Sequence, residues 1–304
     1  MELPEELQFM ANARKPQKRT SVGMDGKICV ITGATSGVGY QAAKRLAKGG
    51  AELILVCRNL QKAAAVKADL QHEFGIKIDL VQADFLNLDQ VRKAASIIHE
   101  KNPHLDVLIN NTGLHNTRRE LTQAGFEKVF CVNHLASFLF TRLLLDRLRE
   151  SSPARILYIN SQGHRFGGLD LDDLTWAKRR YKGLQGYGAS KVAQLLTIWD
   201  LADQLNGSGV TINAMHPGAV ATNIGMNNGL LYQWYQRYLL FPLLKGPEIS
   251  GDAIYYLIAA PEMAEISGKF FNQTIEEKPA RHALDRELGK RVWEVSERLV
   301  GLAD

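Results

Sequence analysis

Apolar runs of strand length alternate with helix-length segments along most of this chain. Six runs are rich in β-branched and other apolar residues: KICVIT, AELILVC, IKIDLVQA, LDVLIN, ARILYIN and GVTINAM. The segments between them have helical patterning, namely Gly37–Lys48, Leu60–Phe74, Leu88 to about Glu100, a long helix ending near Glu150, and Tyr187 to about Leu205. Strands this apolar, each separated by a helix, predict a parallel sheet covered on both faces. We therefore expect an α/β protein with a doubly wound, three-layer α/β/α architecture.

Composition excludes several other classes of protein. Hydrophobic residues make up 45% and charged residues 23% of the 304 residues, which is typical of globular proteins and not of disordered, collagen-like or coiled-coil chains. No internal repeat or low-complexity linker divides the chain, so we expect a solvated tail over 1–25 and one domain over 26–304. The net charge of +5 is thinly spread and does not indicate a nucleic-acid partner.

The sequence also indicates the cellular compartment, the contact with membranes and the expected metal content. No stretch reaches the roughly 18 consecutive apolar residues of a membrane span, and the acidic start MELPEEL does not resemble a secretion signal. Cys29, Cys57 and Cys131 are far apart and form no CxxC pair, which favours a reducing compartment over a disulfide framework or a zinc site. We expect a cytoplasmic protein without a metal, with peripheral contact to a membrane as an alternative.

A glycine-rich loop, TGATSGVG, lies between the first predicted strand and the first predicted helix. Glycine lets a backbone turn sharply and approach a pyrophosphate, and a helix N-terminus supplies free N–H groups and a positive dipole. The position of this loop predicts a dinucleotide cradle, with an ordinary tight turn as the alternative. The predicted cofactor-binding residues of the cradle are Gly33, Thr35, Ser36, Gly37, Val38 and Gly39.

The residues after the second predicted strand indicate which dinucleotide would bind. NAD-selective sites usually place an acid here, facing the ribose hydroxyls, whereas this chain has Cys57, Arg58 and Asn59. No carboxylate would repel a 2′-phosphate, and a guanidinium can form paired hydrogen bonds with one. We therefore expect NADP(H) rather than NAD(H), with a solvated surface charge as the alternative interpretation of Arg58.

Tyr187 and Lys191 lie four residues apart in YGASK, and so on one face of a predicted helix. A free phenol has a pKa of about 10, and a neighbouring cation lowers that pKa by stabilising the phenolate. The pair is therefore predicted to transfer protons. Tyr and Lys at this spacing are also common surface neighbours, and it is the glycine loop upstream that favours catalysis.

The TGxxxGxG loop and the YxxxK pair together resemble the short-chain dehydrogenase/reductase family. The resemblance implies that the hydroxyl of Ser161, after ARILYIN, binds the substrate oxygen, and that Asn133, in CVNHLAS, holds a water for proton relay. The implied catalytic set is thus Asn133, Ser161, Tyr187 and Lys191. Ser161 and Tyr187 are 26 residues apart, about twice the family's usual spacing. The additional residues between them are predicted to form a polar excursion at the edge of the site.

The same resemblance implies further cofactor contacts. It assigns Asp84 to the adenine ring, although a lone Asp in a turn is otherwise a helix cap. It assigns the NNTG segment to the adenine-ribose side and the HPGAVAT segment to the nicotinamide, although Pro-Gly also forms tight turns without a ligand. The residues implied are Asn110, Gly113, Pro217, Gly218, Val220 and Thr222, with Tyr187 and Lys191 at the nicotinamide ribose.

A closer resemblance, over about 26–302, is to the retinol dehydrogenase-like branch of this family. The segments that carry it are VCRN, RELTQAGFEKVFCVNHLASFLFT, YGASKVAQLL, GVTINAMHPGAVAT, SGKFF and RVWEVSERLVGL. It implies a Rossmann fold and NADP(H)-dependent interconversion of a lipophilic alcohol and its aldehyde or ketone, as with retinol and retinal, with Tyr187 as general acid/base. The alternatives are a reductase of steroids or other carbonyls and a non-enzymatic dinucleotide sensor. A homodimer is compatible with the family's habit of pairing through long helices, and so is a monomer.

The segment after Thr222 is dense in large apolar residues. Leu230, Trp234, Tyr238 and Phe241 recur at helical spacing and would line one face of a helix. Three interpretations remain open for 222–247: a helical lid over a small lipophilic substrate, a docking surface for a membrane or a partner, and core packing. The chain has eight histidines but no GxSxG nucleophile elbow, so we do not expect a serine hydrolase.

Overall fold

The computed structural model describes residues 11–12, 15–218, 246 and 248–303. Within them the chain forms one sheet with the strand order β3-β2-β1-β4-β5-β6-β7-β8. The strands are β1 (Ile28–Thr32), β2 (Glu52–Cys57), β3 (Ile78–Gln82), β4 (Val107–Asn110), β5 (Ala154–Ile159), β6 (Val210–His216), β7 (Phe270–Asn272) and β8 (Ile275–Glu276). All neighbours pair in parallel except β7 and β8. The order reverses between β1 and β4, and such a switch point opens a ligand crevice at the carboxyl ends of the strands.

Helices cover both faces of this sheet. The long helices among the described residues are α1 (Gly37–Lys48), α2 (Leu60–Phe74), α3 (Leu88–Lys101), α4 (Ala136–Glu150), α5 (Gly183–Gln204), α6 (Glu248–Ala259) and α7 (Arg286–Leu299). One core lies between the sheet and α1, α2 and α6, and the other lies between the sheet and α3, α4, α5 and α7. The predicted doubly wound, three-layer α/β/α architecture is confirmed.

The central strands are apolar at almost every position because both of their faces are buried. Val30 of β1 belongs to one core, whereas its neighbours Cys29 and Ile31 belong to the other, and all three are fully buried. Successive side chains of a strand point to opposite faces. A strand covered on both faces therefore has a continuous apolar run rather than an alternating one.

Helix α5 begins at Gly183, one turn before the predicted start at Tyr187. Glycine has a low helix propensity, but in GLQGYG close packing requires glycine. A Cβ at Gly183 would lie 2.6 Å from the carbonyl oxygen of Asn116, and one at Gly186 would lie 2.6 Å from the hydroxyl of Tyr181. Tertiary contacts thus extend the helix through residues of low helix propensity.

The helices α6 and α7 and the strands β7 and β8, all after residue 247, were not predicted. Strands β7 and β8 have three and two residues, too few to show a period. Helix α7 did carry a start signal, because the side chain of Asp285 accepts a hydrogen bond from the Leu288 amide as an N-cap. That signal, combined with the apolar period of the following residues, would have located α7.

Within the N-terminal segment, residues 15–25 are mostly exposed, but they are held against the rest of the fold. The Lys18 amide donates to the Thr274 hydroxyl at 2.8 Å, and the Tyr255 hydroxyl donates to the carbonyl oxygen of Val22. The segment therefore differs from the free, solvated tail that was expected, because its own backbone groups bond to the β7–β8 turn and to α6.

One helical stretch of the described residues, Lys128–Glu150, is long and apolar enough to span a membrane by composition. Within the fold, 83% of its most apolar window is buried. This degree of burial is that of a core helix, because α4 packs between the sheet and its neighbours α3 and α7.

Candidate active site

The glycine loop connects β1 to α1 at the switch point of the sheet. Gly33 and Gly37 have positive φ angles of 72° and 56°, which L-residues rarely adopt. A Cβ at Gly39 would lie 2.4 Å from the carbonyl oxygen of Gly33, so the first turn of α1 can pack on the loop only through glycine. Ser36, the N-cap of α1, makes no side-chain capping bond, and the first turn contains no acid. These are the features of an anion-binding helix N-terminus.

Two neighbouring residues, Asn111 and Thr32, hold this loop in place, and neither was among the predicted site residues. The Asn111 side chain donates to the carbonyl oxygens of Thr32 and Gly33 at 2.9 and 3.1 Å. The Thr32 hydroxyl accepts from the amides of Asn111 and Thr112 at 2.9 and 3.0 Å. Asn111 was quoted within the NNTG segment, but its bond to the cradle emerges only when β1 and β4 lie side by side.

Arg58 follows β2 at the same edge of the sheet. Its side chain is exposed, and within the described ranges no hydrogen bond or ion pair engages its guanidinium. The next residue, Asn59, caps α2 by accepting from the Lys62 amide at 2.9 Å. A cradle that only glycine can form, an uncompensated helix N-terminus and a free guanidinium together fit a dinucleotide with an additional phosphate.

Three residues assigned to the adenine half lie at the ends of β3 and β4. One Asp84 carboxylate oxygen accepts from the Leu86 amide at 3.0 Å, as a turn-capping residue does. Asn110 is buried, and its amide donates to the Thr141 hydroxyl on α4 at 2.8 Å, so this side chain faces the core. Gly113 is exposed in the loop beyond.

The nicotinamide half is described in part. Gly218 has a φ of 96°, and the carbonyl oxygen of Pro217 accepts a hydrogen bond from the Ser250 hydroxyl at 2.7 Å. The Pro-Gly pair therefore forms a fixed turn at the end of β6. Val220, Thr222 and the proposed lid lie outside the described residues, apart from Gly246.

Ser161, Tyr187 and Lys191 come together at the carboxyl end of β5. The Ser161 Oγ atom and the Tyr187 ring both flank Gly163, where an added Cβ would lie 3.3 Å from Oγ, and the Lys191 Nζ lies 5.7 Å from the centre of the Tyr187 ring. A Cβ at Gly163 would lie 2.5 Å from the Tyr187 Cε1 atom, so glycine is required for the ring to rest on this loop. Gly163 was not predicted, and its position two residues after Ser161 is the signal that was missed.

Lys191 is almost fully buried, and its ammonium is held by neutral acceptors. It donates to the carbonyl oxygen of Ile159 at 3.0 Å and to Oε1 of Gln194 at 3.1 Å. An ammonium has three N–H donors, so the described residues leave one for a ligand. Burial lowers the pKa of Lys191 to about 7.

The expected lowering of the Tyr187 pKa is wrong. Burial raises the pKa of Tyr187 to about 12, and the interaction with the Ser161 side chain acts in the opposite direction. The physical reason is that burial also lowers the pKa of Lys191, so its ammonium form is less populated. Its attraction for a phenolate therefore does not outweigh the cost of burying the ionised phenol. Tyr187 consequently keeps its proton at neutral pH.

Asn133 lies in a π-helical turn, Cys131–Leu135, that leads into α4. Its side-chain oxygen accepts from the Leu114 amide at 2.7 Å, and its amide donates to the Leu114 carbonyl at 3.0 Å and the Ser190 hydroxyl at 2.9 Å. Asn133 therefore joins the loop after β4 to α5. Its role in holding a water for proton relay stays a prediction.

The predicted polar excursion between Ser161 and Tyr187 has a folded interior. Trp176 is buried, and the Arg179 guanidinium stacks on its ring at 3.8 Å. The same guanidinium lies 3.3 Å from a carboxylate oxygen of Asp173. This cluster gives the excursion a defined shape at the edge of the site.

The histidine nearest to Ser161 is occupied by backbone contacts. The Nδ1 atom of His164 lies 2.7 Å from the carbonyl oxygen of Ser161, and its Nε2 atom accepts from the Ala280 amide at 3.1 Å. Both ring nitrogens of His164 are thus engaged by backbone groups and not by the Ser161 hydroxyl.

Two buried histidines and the half-buried His216 should make the fold sensitive to acid. Burial lowers the pKa of His134 to about 3 and those of His164 and His216 to about 4. Between these values and about 6.5 the unfolded chain binds more protons than the folded one, so stability falls as the pH falls. We expect the free energy of unfolding, measured in denaturant, to decrease steadily from pH 6.5 to 4.5.

A variant isolates the contribution of one histidine. His134→Asn removes a titrating group, so the free energy of unfolding of this variant should decrease less between pH 6.5 and 4.5 than that of the wild type. The exposed change His72→Asn should leave the slope unaltered. Equal stability at pH 6.5 and 4.5 in the wild type would contradict this account.

Comparison with known proteins gives consistent matches. A family model described as short chain dehydrogenase matches residues 27–230. The chain is 39% identical to retinol dehydrogenase 13 of Homo sapiens, covering 97% of this chain and 89% of that protein. It is 34% identical to retinol dehydrogenase 14 of Homo sapiens, covering 92% and 88%. A solved structure from Mycobacterium Paratuberculosis superposes with a TM-score of 0.73 at 27% identity, covering 92% of this chain and 95% of that one.

Proposed function

Because the chain belongs to the short-chain dehydrogenase family, we propose that it is an NADP(H)-dependent oxidoreductase that interconverts a lipophilic alcohol with its aldehyde or ketone. Membership in the family makes it an oxidoreductase; the cofactor form, the substrate class and the role of Tyr187 are the proposal. The observation that carries it is the meeting of Tyr187, Ser161 and Lys191 beside a cradle that only glycine can form.

Each catalytic side chain has its own role in the proposed reaction. A bound NADPH would supply hydride to the carbonyl carbon. Tyr187 would give its hydroxyl proton to the carbonyl oxygen, and the Ser161 hydroxyl would donate a hydrogen bond to the same oxygen. The Lys191 ammonium would stabilise the phenolate, and its third N–H is available to a cofactor ribose hydroxyl. Because burial raises the pKa of Tyr187 to about 12, the phenol carries at neutral pH the proton that carbonyl reduction consumes.

The proposed substrate class rests on the surface around the catalytic residues. Phe166, at the end of the turn after Ser161, is 52% exposed, and Leu184, one turn before Tyr187, is 54% exposed. Large apolar side chains this exposed are suited to an apolar ligand. The relatives named retinol dehydrogenase support a substrate that resembles retinal in shape and polarity.

Loss of NADPH absorbance tests the function on a panel of carbonyl compounds. The panel contains retinal, a steroid ketone, and short-chain and long-chain aliphatic aldehydes. We expect turnover with lipophilic members and a KM that falls as the aliphatic chain lengthens. NADPH binding without turnover on any member would contradict the proposal and favour the sensor alternative.

Replacing Arg58 should change the choice of cofactor. In Arg58→Asp, a carboxylate would repel the 2′-phosphate of NADPH and accept hydrogen bonds from the ribose hydroxyls of NADH. Loss of charge-assisted phosphate contacts should reduce kcat/KM for NADPH by about 10- to 100-fold, while kcat/KM for NADH rises. Steady-state kinetics with both cofactors measures the ratio.

Lys93→Asp is the matched control, because it makes the same change of charge at an exposed position of α3. The ratio of the two cofactors should stay at the wild-type value in this variant. If Arg58→Asp leaves the ratio unchanged as well, Arg58 is a solvated surface charge and not a phosphate ligand.

A further inference from the structure

Gln194 lies one turn beyond Lys191 on α5, and it is 1% exposed. Its Oε1 atom accepts from the Lys191 ammonium at 3.1 Å and from the Asn160 amide at 2.9 Å. Its Nε2 atom donates to the backbone carbonyl of Asn133. One carboxamide therefore joins α5, the end of β5 and the π-helical turn before α4.

Asn160 connects this carboxamide to the catalytic serine. Its Nδ2 atom also donates to the Lys191 carbonyl at 3.1 Å, and its Oδ1 atom accepts from the Ser161 amide at 2.8 Å. Both Asn160 and Gln194 are buried, so their hydrogen bonds are made in a low-dielectric interior where unpaired polar groups are costly. The backbone at Ser161 and the ammonium of Lys191 are consequently held by one network.

The chemistry of the carboxamide determines what this network can do. The family resemblance assigns Asn133 to a water that relays protons, whereas here Gln194 spans the gap between the Asn133 carbonyl and the Lys191 ammonium. A carboxamide accepts through oxygen and donates through nitrogen. A proton that enters at Oε1 could leave at Nε2 only through an imidic acid, so the link holds its partners rather than conducting protons.

We propose that Gln194 is a positioning residue that holds the Lys191 ammonium against the Tyr187 ring, and that the Asn133–Gln194–Lys191 link carries no proton. This inference rests on the proposed function, in which Lys191 stabilises the Tyr187 phenolate. Gln194 acts through Lys191 and contacts neither substrate nor cofactor.

The surroundings of Lys191 make its ionisation a sensitive readout. Tyr187 is the titratable side chain that faces it among the described residues, and β5 and the π-helical turn present neutral groups: the Ile159 carbonyl, Asn160 and Asn133. Burial lowers the pKa of Lys191, and no charged side chain of the described residues shifts it. A charge introduced at position 194 should therefore move this titration clearly.

Two substitutions at Gln194 test the proposal, with a third on the same helix as control. Gln194→Met keeps the length of the side chain and removes the acceptor. Gln194→Glu keeps the acceptor and adds a charge. Thr197→Val removes a buried hydroxyl one turn further along α5 without a contact to Lys191. For each, we would measure kcat with NADPH and retinal against pH, the thermal unfolding midpoint, and the Lys191 titration by NMR of ε-¹³C-lysine-labelled protein, assigned with Lys191→Met.

The two Gln194 substitutions should shift the Lys191 titration in opposite directions. Gln194→Met should lower kcat by roughly 10- to 100-fold and move the Lys191 titration to lower pH. Gln194→Glu should move it to higher pH by about one to three units, because an opposite charge in contact favours the ammonium, and should retain more activity than Gln194→Met where Lys191 is charged. Thr197→Val should change neither quantity.

Two results would overturn the proposal: wild-type titration in both Gln194 variants, or a loss of kcat in Gln194→Met that only matches its loss of thermal stability. The NMR titration needs no turnover. If the wild type reduces no carbonyl, the proposed function fails on that observation, while the titration still decides whether Gln194 controls Lys191.

Discussion

Tyr187→Phe should lower kcat for carbonyl reduction by about a thousandfold and leave the affinity for NADPH within a few-fold of the wild type. The substitution removes one oxygen, and with it the proton that the substrate oxygen would receive. General acid catalysis by a positioned group is worth roughly 10²- to 10⁴-fold. The phenyl ring can still rest on Gly163, so the loop should not rearrange. Steady-state kinetics and fluorescence titration with NADPH measure the two effects separately.

Tyr158→Phe is the matched control. Tyr158 is also a buried tyrosine, but its hydroxyl bonds to Thr141 and Ser137 inside the core. This variant should lose some stability and keep its kcat. Equal turnover in Tyr187→Phe and the wild type would remove Tyr187 from the mechanism.

Gly39→Ala should weaken NADPH binding severely. The new Cβ would lie 2.4 Å from both the Gly33 carbonyl oxygen and the Asn111 amide nitrogen, so the loop or the helix must move. A displacement of about 1 Å in a positioning element is enough to reduce kcat/KM by about 100-fold. We expect a loss of this order in kcat/KM and a parallel loss of NADPH affinity by calorimetry.

Gly75→Ala separates this effect from general destabilisation. Gly75 ends α2 with a φ of 68°, and nothing lies within 4 Å of a Cβ added there. The left-handed conformation should cost about 1 to 2 kcal/mol of stability without touching the cradle. If Gly75→Ala weakens NADPH binding as much as Gly39→Ala, the cradle geometry is not the cause.

The fold was predictable where local pattern and burial coincide. Strands β1, β2, β4, β5 and β6 are buried at almost every position, so their apolar runs are continuous and easily recognised, whereas the outer strand β3 also exposes polar residues. The short strands β7 and β8 lack that signal, and the start of α5 depends on tertiary contacts of Gly183 and Gly186. Periodicity reports only the local environment of a segment, and these elements are set by their neighbours.

The candidate site was predictable in its residue types but not in its energetics. Spacing alone places Tyr187 and Lys191 on one helix face, yet the direction in which the pKa of Tyr187 shifts depends on how deeply both groups are buried. Gln194 is a common residue one turn after a lysine. Its importance follows from contacts with Asn133 and Asn160, which are 61 and 34 residues away in sequence.

The most direct test of the central claim is the fate of the transferred hydride. NADPH carrying deuterium at both C4 positions of the nicotinamide would be incubated with retinal and the wild-type protein, and the alcohol analysed by mass spectrometry. Direct transfer at a site formed by Ser161, Tyr187 and Lys191 predicts one deuterium on the former carbonyl carbon. An alcohol without deuterium, or no alcohol while NADPH remains bound, would contradict the assignment of this chain as a carbonyl reductase.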